Sequence, residues 1–157
     1  MNKPDTKPIL IMGIGNFLLG DEGVGIHALR LLEKKIFLHP VELLDGGCGA
    51  LSLISYFLDY PVIIMIDAAR DNRPVGTVSI LQPSFASDFP KSLSAHDVGL
   101  RDLIESVALI GKLPKIYLIT VSISDIRVMS TELTLPVQDS LSTVVRYVVQ
   151  ILKEIII

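Results

Sequence analysis

The sequence predicts an α/β protein: a three-layer α/β/α sandwich on a mostly parallel five-stranded sheet with one antiparallel strand. Short apolar runs of strand length alternate with stretches whose apolar residues recur at helical spacing. Half of the 157 residues are hydrophobic, which is typical of strands covered on both faces. No apolar run reaches the roughly 18 residues that a membrane span requires. We therefore expect one soluble domain over residues 1–157, without membrane insertion.

Each predicted strand is an apolar run bounded by turn residues, and each predicted helix has an apolar stripe. The strands cover residues 8–12, 40–44, 61–66, 76–81 and 115–121. The helices cover residues 24–35, 50–58, 94–110 and 137–157. Too few residues separate the third strand from the fourth for a crossover helix, so the fourth is predicted to run antiparallel to the third. Ser94 or Asp97 is the expected cap of the third helix, and Gly111 its stop.

Charge and cysteine content exclude several classes of protein. The net charge is −3 and basic residues are not clustered, so we expect no nucleic-acid partner. Cys48 is the one cysteine, which excludes an internal disulfide and fits a reducing cytoplasm. The polar N-terminus lacks the apolar core of a signal peptide, which also favours the cytoplasm. The apolar residues 155–157 either pack on the body or mark a self-association surface, so a monomer or a weak homo-oligomer is expected.

Acidic residues and one histidine follow several predicted strands. Ligands of open α/β sheets bind beyond the carboxyl ends of the strands, and Glu22, Asp45 and Asp67 follow the first three. The loop after the antiparallel strand leads to His96. Glu22, Asp67 and His96 together offer two oxygen donors and one nitrogen donor, a set that suits nickel, zinc or cobalt. We therefore predict a divalent-metal site made of these three residues.

Each of these residues also has an ordinary structural explanation. Glu22 could cap a helix, Asp67 could be a strand-end turn residue, and His96 could lie on the surface. His27 and His39 are expected to be structural or solvated. Cys48 is expected to be a small buried thiol, since a nucleophilic role would require His96 as its base.

The first glycine-rich loop could instead suggest nucleotide binding. A dinucleotide fingerprint that opens at Gly13 requires glycine at position 18, where Leu18 stands. A phosphate-binding loop ending at Gly20 requires a lysine next, where Asp21 stands, and its carboxylate would repel phosphate. The loop therefore favours the metal site over a nucleotide site.

Four segments, in order, resemble the [NiFe]-hydrogenase maturation endopeptidase family. They are GNFLLGDEGVG at residues 15–25, DGG at 45–47, IDA at 66–68 and SAHDVGL at 94–100. The resemblance covers most of the chain. It implies a hydrolase, a protease of aspartyl-type endopeptidase activity that removes the C-terminal extension of a hydrogenase large-subunit precursor once nickel has been inserted.

The resemblance also implies roles for individual residues. The family's metal ligands fall on Glu22, Asp67 and His96, which are also the candidates for the unassigned catalytic groups. The ion is expected to be nickel supplied by the precursor, for which cadmium or zinc can substitute. Precursor binding is expected at Asn16 and at the loop formed by Asp45, Gly46, Gly47 and Cys48.

Two loops depart from the family's pattern. Cys48 stands where the family usually has threonine, and residues 122–125 lack the usual Gln-Pro or Glu-Pro step. Two other hypotheses stay open, and the departures favour the first of them. The protein could be a non-catalytic checkpoint or chaperone module that binds a metallated partner, or a metallo-hydrolase for an unrelated peptide.

Overall fold

The computed structural model describes residues 7–95, 99–125 and 128–156. Its strands are β1 (Ile9–Ile14), β2 (Val41–Gly47), β3 (Val62–Ala69), β4 (Val78–Leu81) and β5 (Lys115–Ser122). Its helices are α1 (Val24–Leu32), α2 (Ile54–Asp59), α3 (Leu100–Ile110) and α4 (Leu135–Ile156). No helix in this described part of the chain is long and apolar enough to span a membrane.

The strands form one sheet in the order β2-β1-β3-β5-β4. The first three strands and β5 are parallel, while β4 is antiparallel, as the sequence predicts. The neighbour of β4 is β5 rather than β3, because β5 lies between them in the sheet although it comes after both in the chain. The predicted mixed five-stranded sheet is therefore confirmed, and β2 and β4 are its two edges.

Helices cover both faces of the sheet, which completes the predicted three layers. One apolar cluster contains α1, α4 and alternate residues of β3 such as Ile64 and Ile66. The other contains α2, α3 and the intervening residues Ile63 and Met65. This alternation follows the two-residue period of a strand, and it makes β3 buried on both faces.

Several element ends differ from the predicted ones. Strand β3 continues to Ala69, so that Asp67 lies inside the strand and not after it. Helix α3 is described from Leu100 instead of residue 94, and α4 begins at Leu135, two residues before the predicted start. The first difference matters for function, because a carboxylate within a central strand is buried.

Candidate functional site

Asp67 is a fully buried carboxylate near the carboxyl end of the central strand β3. Its Oδ1 accepts hydrogen bonds from the Ala68 N–H at 2.9 Å and from the Ser94 hydroxyl at 2.6 Å. Its Oδ2 accepts a third from the Ala95 N–H at 2.9 Å. These donors fix the orientation of the carboxylate and draw residues 94–95 onto the end of the sheet.

Burial controls the ionisation of Asp67. Loss of solvation raises the pKa of its carboxyl to about 7, against the opposing effect of its hydrogen bonds with Ser94, Ala95 and Ala68. The negative charge of Glu22 adds to the rise in this pKa. Asp67 therefore exchanges a proton near neutral pH, and a nearby cation would favour its ionised form.

Glu22 influences Asp67 electrostatically because the first loop packs closely on the sheet. Glu22 is only 6% exposed, and it lies in a short 3-10 turn, Gly20–Gly23, that leads directly into α1. A Cβ on Gly25 would lie 2.5 Å from the Ile66 carbonyl oxygen and 2.7 Å from that of Ile14. Only glycine permits this approach, which brings the start of α1 against the residue that precedes Asp67.

A second segment holds the first loop from the other side. The Gly20 N–H donates to the Ser130 carbonyl at 2.7 Å, and the Ser130 N–H donates to the Leu18 carbonyl at 2.9 Å. The two oxygens of Asp21 accept hydrogen bonds from the N–H and the hydroxyl of Thr134, each at 2.8 Å. Asp21 thus fixes the start of α4, while the adjacent Glu22 is the carboxylate whose charge raises the pKa of Asp67.

The predicted precursor-binding loop lies at the end of β2 and is far more exposed. Asp45 and Cys48 are exposed, and the Asp45 Oδ1 accepts the Gly47 N–H at 2.9 Å. Gly47 has φ +56°, a left-handed conformation that favours glycine. The Gly15 N–H donates to the Gly47 carbonyl at 3.0 Å, which joins this loop to the first one.

Asn16, the remaining predicted precursor-binding residue, shapes the first loop. It is partly exposed, and its Oδ1 accepts the Leu18 N–H at 2.9 Å. Its carbonyl accepts the Leu19 N–H at 3.1 Å. Its role in precursor binding stays a prediction, as do those of Asp45, Gly46, Gly47 and Cys48.

His96 and Asp97 lie outside the described residues, so the predicted third ligand and the alternative helix cap have no structural account. In the described ranges, no group of three or more His, Cys, Asp or Glu side chains could hold a metal ion. Asp67 and Glu22 supply two interacting oxygen donors there, and His96 follows Ala95 directly in the sequence. Two carboxylates near each other fit a cation, because it relieves their mutual repulsion.

Two expectations about residues near the site are wrong, and the second concerns a residue whose role at the site was missed. Cys48 is exposed and not buried, since it follows a glycine turn at the rim of the sheet. Ser94, proposed as a helix cap, instead donates its hydroxyl to Asp67. No local signal in the sequence indicates this role, because the contact joins residues 27 positions apart. The His27 Nε2 lies 3.1 Å from the Thr131 carbonyl, which fits the structural role expected of it.

Comparisons with known proteins place this chain in a family. The sequence model of the hydrogenase maturation protease family, HycI, matches residues 26–151. The hydrogenase 2 maturation protease of Escherichia coli K12 is 34% identical over 68% of this chain and 67% of its own length. The hydrogenase expression/formation protein HupD of Bradyrhizobium diazoefficiens is 30% identical over 93% of this chain and 78% of its own.

A solved structure shows the same arrangement of the chain. The hydrogenase maturating endopeptidase HybD from E. coli superposes with a TM-score of 0.83 and 30% identity, over 94% of this chain and 93% of that one. The agreement in fold and the sequence matches support one conclusion. The chain belongs to the hydrogenase maturation protease family.

Proposed function

We propose that this protein is an endopeptidase that removes the C-terminal extension of a nickel-loaded [NiFe]-hydrogenase large-subunit precursor. In this proposal Glu22, Asp67 and His96 recognise the nickel that the precursor carries. The family supports the reaction class, and the names of the relatives support the kind of precursor. The observation that carries the proposal is the buried Asp67, whose carboxyl interacts with Glu22 and is held by Ser94 and Ala95.

The ionisation of Asp67 suits recognition of a cation. A buried carboxyl with a pKa of about 7 holds its proton for half of the time near neutral pH. A cation presented by the precursor would take the place of that proton and would balance the charge of Glu22 as well. The two buried carboxylates repel each other when both are ionised, and a bound cation stabilises them. The site therefore favours a partner that carries positive charge.

The same groups can serve the hydrolysis itself. Cleavage of a peptide bond requires a group that accepts a proton from water and returns it to the leaving amine, and such groups act best when their pKa is near the working pH. Asp67 satisfies that condition when no cation is bound to it, and Ser94 holds its orientation. Because a bound cation lowers the pKa of a carboxyl, the roles of Asp67 as metal ligand and as proton acceptor would be alternatives. A bound divalent ion would polarise the scissile carbonyl. The exposed loop from Asp45 to Cys48 would then contact the precursor around the cleavage site.

The test is the mass of the precursor after incubation. Nickel-loaded precursor mixed with wild-type protein is expected to lose its C-terminal extension, as read by mass spectrometry. Glu22→Gln is expected to leave the precursor intact, while circular dichroism shows an unchanged fold. Asp21→Asn is a matched control, because it makes the same change of charge at a neighbour whose carboxylate contacts Thr134. It is expected to retain cleavage.

Two results would contradict the proposal. A stable complex with an intact precursor would indicate a non-catalytic checkpoint or chaperone module. Equal cleavage by wild-type protein and Glu22→Gln would show that Glu22 has no part in the reaction.

A further inference from the structure

Strand β2 is a long open edge of the sheet that ends in the predicted precursor-binding loop. It is the outermost strand on its side and runs for seven residues, Val41–Gly47. Its last residues are Asp45, Gly46 and Gly47. A peptide lying along β2 would therefore be guided directly to the loop that joins Gly15.

The hydrogen-bond register shows which backbone groups of β2 face outward. Ile9 donates its N–H to the Pro40 carbonyl at 3.1 Å and pairs with Val41 in the parallel ladder. In a parallel pair, alternate residues bond to the same neighbour, so the N–H and C=O of Glu42 face β1. The N–H and C=O groups of Val41 and Leu43 point away from the sheet. Among the described residues, no backbone group forms a hydrogen bond with them.

The side chains beside this edge are apolar on one face. Val41 and Leu43 pack partly buried against the core layer of α1 and α4. Ile36 and Leu38, which precede the strand, are 97% and 100% exposed. A cavity of about 590 Å³ opens between residues 35–41 and the end of α4. An added strand with apolar residues at alternate positions would bury this surface.

The opposite edge of the sheet lacks these features. Strand β4 has only four residues, Val78–Leu81, and short edge strands discourage pairing. It pairs antiparallel with β5, and neither of its ends enters the predicted precursor-binding loop. The two edges thus differ in length and in their relation to the site, which makes β4 an internal control.

We infer that the C-terminal segment of the precursor binds as an added strand along β2, with apolar side chains at alternate positions. This inference rests on the proposed function and names the mode of substrate binding. Main-chain hydrogen bonds to Val41 and Leu43 supply affinity, and the apolar face with Ile36 and Leu38 selects side chains. Four residues of strand span about 13 Å, which carries the peptide from Val41 to Asp45 at the rim.

The test compares proline substitutions at the two edges. Leu43→Pro removes an outward N–H of β2, at a position where an edge strand tolerates proline. Ile80→Pro is the matched control, because Ile80 lies on the other edge, packs against the same core layer, and also points its N–H outward in the register with Ile119. Leu43→Pro is expected to raise KM for the precursor about tenfold, the effect of one lost hydrogen bond. Ile80→Pro is expected to leave KM unchanged.

Hydrogen exchange on the wild-type protein tests the inference without any substitution. Pulse labelling with excess precursor, before cleavage is complete, is expected to protect the N–H groups of Val41 and Leu43. The N–H of Glu42 is already protected by its hydrogen bond to β1, and hydrogen exchange at the N–H groups of β4 should not change. Unchanged exchange at Val41 and Leu43, or equal KM for Leu43→Pro and wild type, overturns strand addition even if wild type cleaves the precursor.

Two further outcomes are distinguishable. Protection of β2 that rises with protein concentration in the absence of precursor would assign the edge to a second copy of this chain and would overturn the inference. Failure of wild-type protein to cleave any nickel-loaded precursor would overturn the proposed function itself.

Discussion

Asp67 and the Asp45–Cys48 loop stand at the same end of the sheet but in opposite environments. Asp67 is fully buried, and hydrogen bonds from Ser94, Ala95 and Ala68 hold it. Asp45 is exposed and bonds to the N–H of Gly47, two residues away in its own loop. The buried carboxylate depends on three parts of the chain, whereas the exposed one depends on a single turn.

This difference separates two tasks within the proposed function. A change near Asp67 disturbs the packing of β3, α1 and residues 94–95 together, so this part of the site has little freedom to vary. A change at Asp45 or Cys48 alters only what the surface presents to a partner. We therefore propose that the buried site recognises nickel and that the exposed loop selects the precursor. Substitutions in the two regions should separate these tasks.

The largest effect is expected from Asp67→Asn. The amide keeps the size of the carboxyl but can neither ionise nor accept all three hydrogen bonds that Asp67 accepts. Cleavage of nickel-loaded precursor is expected to fall by about 10²-fold or more, as when an acid–base group is lost. Single-turnover assays measure this, and retention of wild-type rates would show that Asp67 has no part in the reaction.

The next largest effect comes from two glycine substitutions that contrast the regions. Gly25→Ala places a Cβ 2.5 Å from the Ile66 carbonyl oxygen, and such overpacking costs about 3 kcal/mol or more. In Gly47→Ala the new Cβ would have no atom within 4 Å, so the loss of stability comes only from placing alanine at φ +56°, about 1 kcal/mol. Urea denaturation of both variants measures the difference. Equal losses of stability would mean that the two loops are equally constrained.

The pH dependence of stability tests the burial of Asp67. Its folded pKa of about 7 lies above the unfolded value of about 3.9, so the folded state binds more protons between these values. The free energy of unfolding contributed by this group is therefore highest at low pH and falls as pH rises from about 4 to about 7. Asp67→Asn should flatten that slope in urea denaturation at several pH values, and an identical slope in both proteins would contradict the burial.

Ser94→Ala tests how Asp67 is held. The Ser94 hydroxyl lowers the pKa of Asp67, so its loss should raise that pKa and move the pH profile of cadmium binding to higher pH. The matched control is Ser92→Ala, because Ser92 uses its backbone carbonyl to accept the Arg70 N–H. A pH profile that moves equally in both variants would assign the change to the segment as a whole.

The smallest effect on stability is expected from Asp45→Asn. The amide oxygen can still accept the Gly47 N–H, so stability should change by less than about 0.5 kcal/mol. A change in KM for the precursor with an unchanged kcat would place Asp45 in precursor selection. Loss of kcat with unchanged KM would contradict the division between the two regions.

The order of strands and helices could be predicted because local patterns determine it. Apolar runs bounded by turn residues identify β1, β3 and β5, whose side chains are buried on both faces. The place of β4 was not predictable in the same way. Its neighbour β5 is formed by residues that follow it in the chain by more than 30 positions, and only packing decides that pairing.

The site could be predicted only in part, for the same reason. Glu22 and Asp67 were found because both follow or end predicted strands, and the structure brings their charges into interaction. The contact of Ser94 with Asp67 joins residues 27 positions apart, and no local pattern specifies it. The exposure of Cys48 depends on the turn at Gly47, so the expectation of a buried thiol failed.

The most direct test of the central claim compares binding of two forms of one precursor. Wild-type protein is titrated with nickel-loaded and with nickel-free precursor, and Kd is measured for each. We expect the nickel-loaded form to bind at least about tenfold more tightly, a difference of about 1.4 kcal/mol, and we expect Glu22→Gln to remove that preference. Equal affinity of wild-type protein for both forms would contradict recognition of nickel by Glu22, Asp67 and His96.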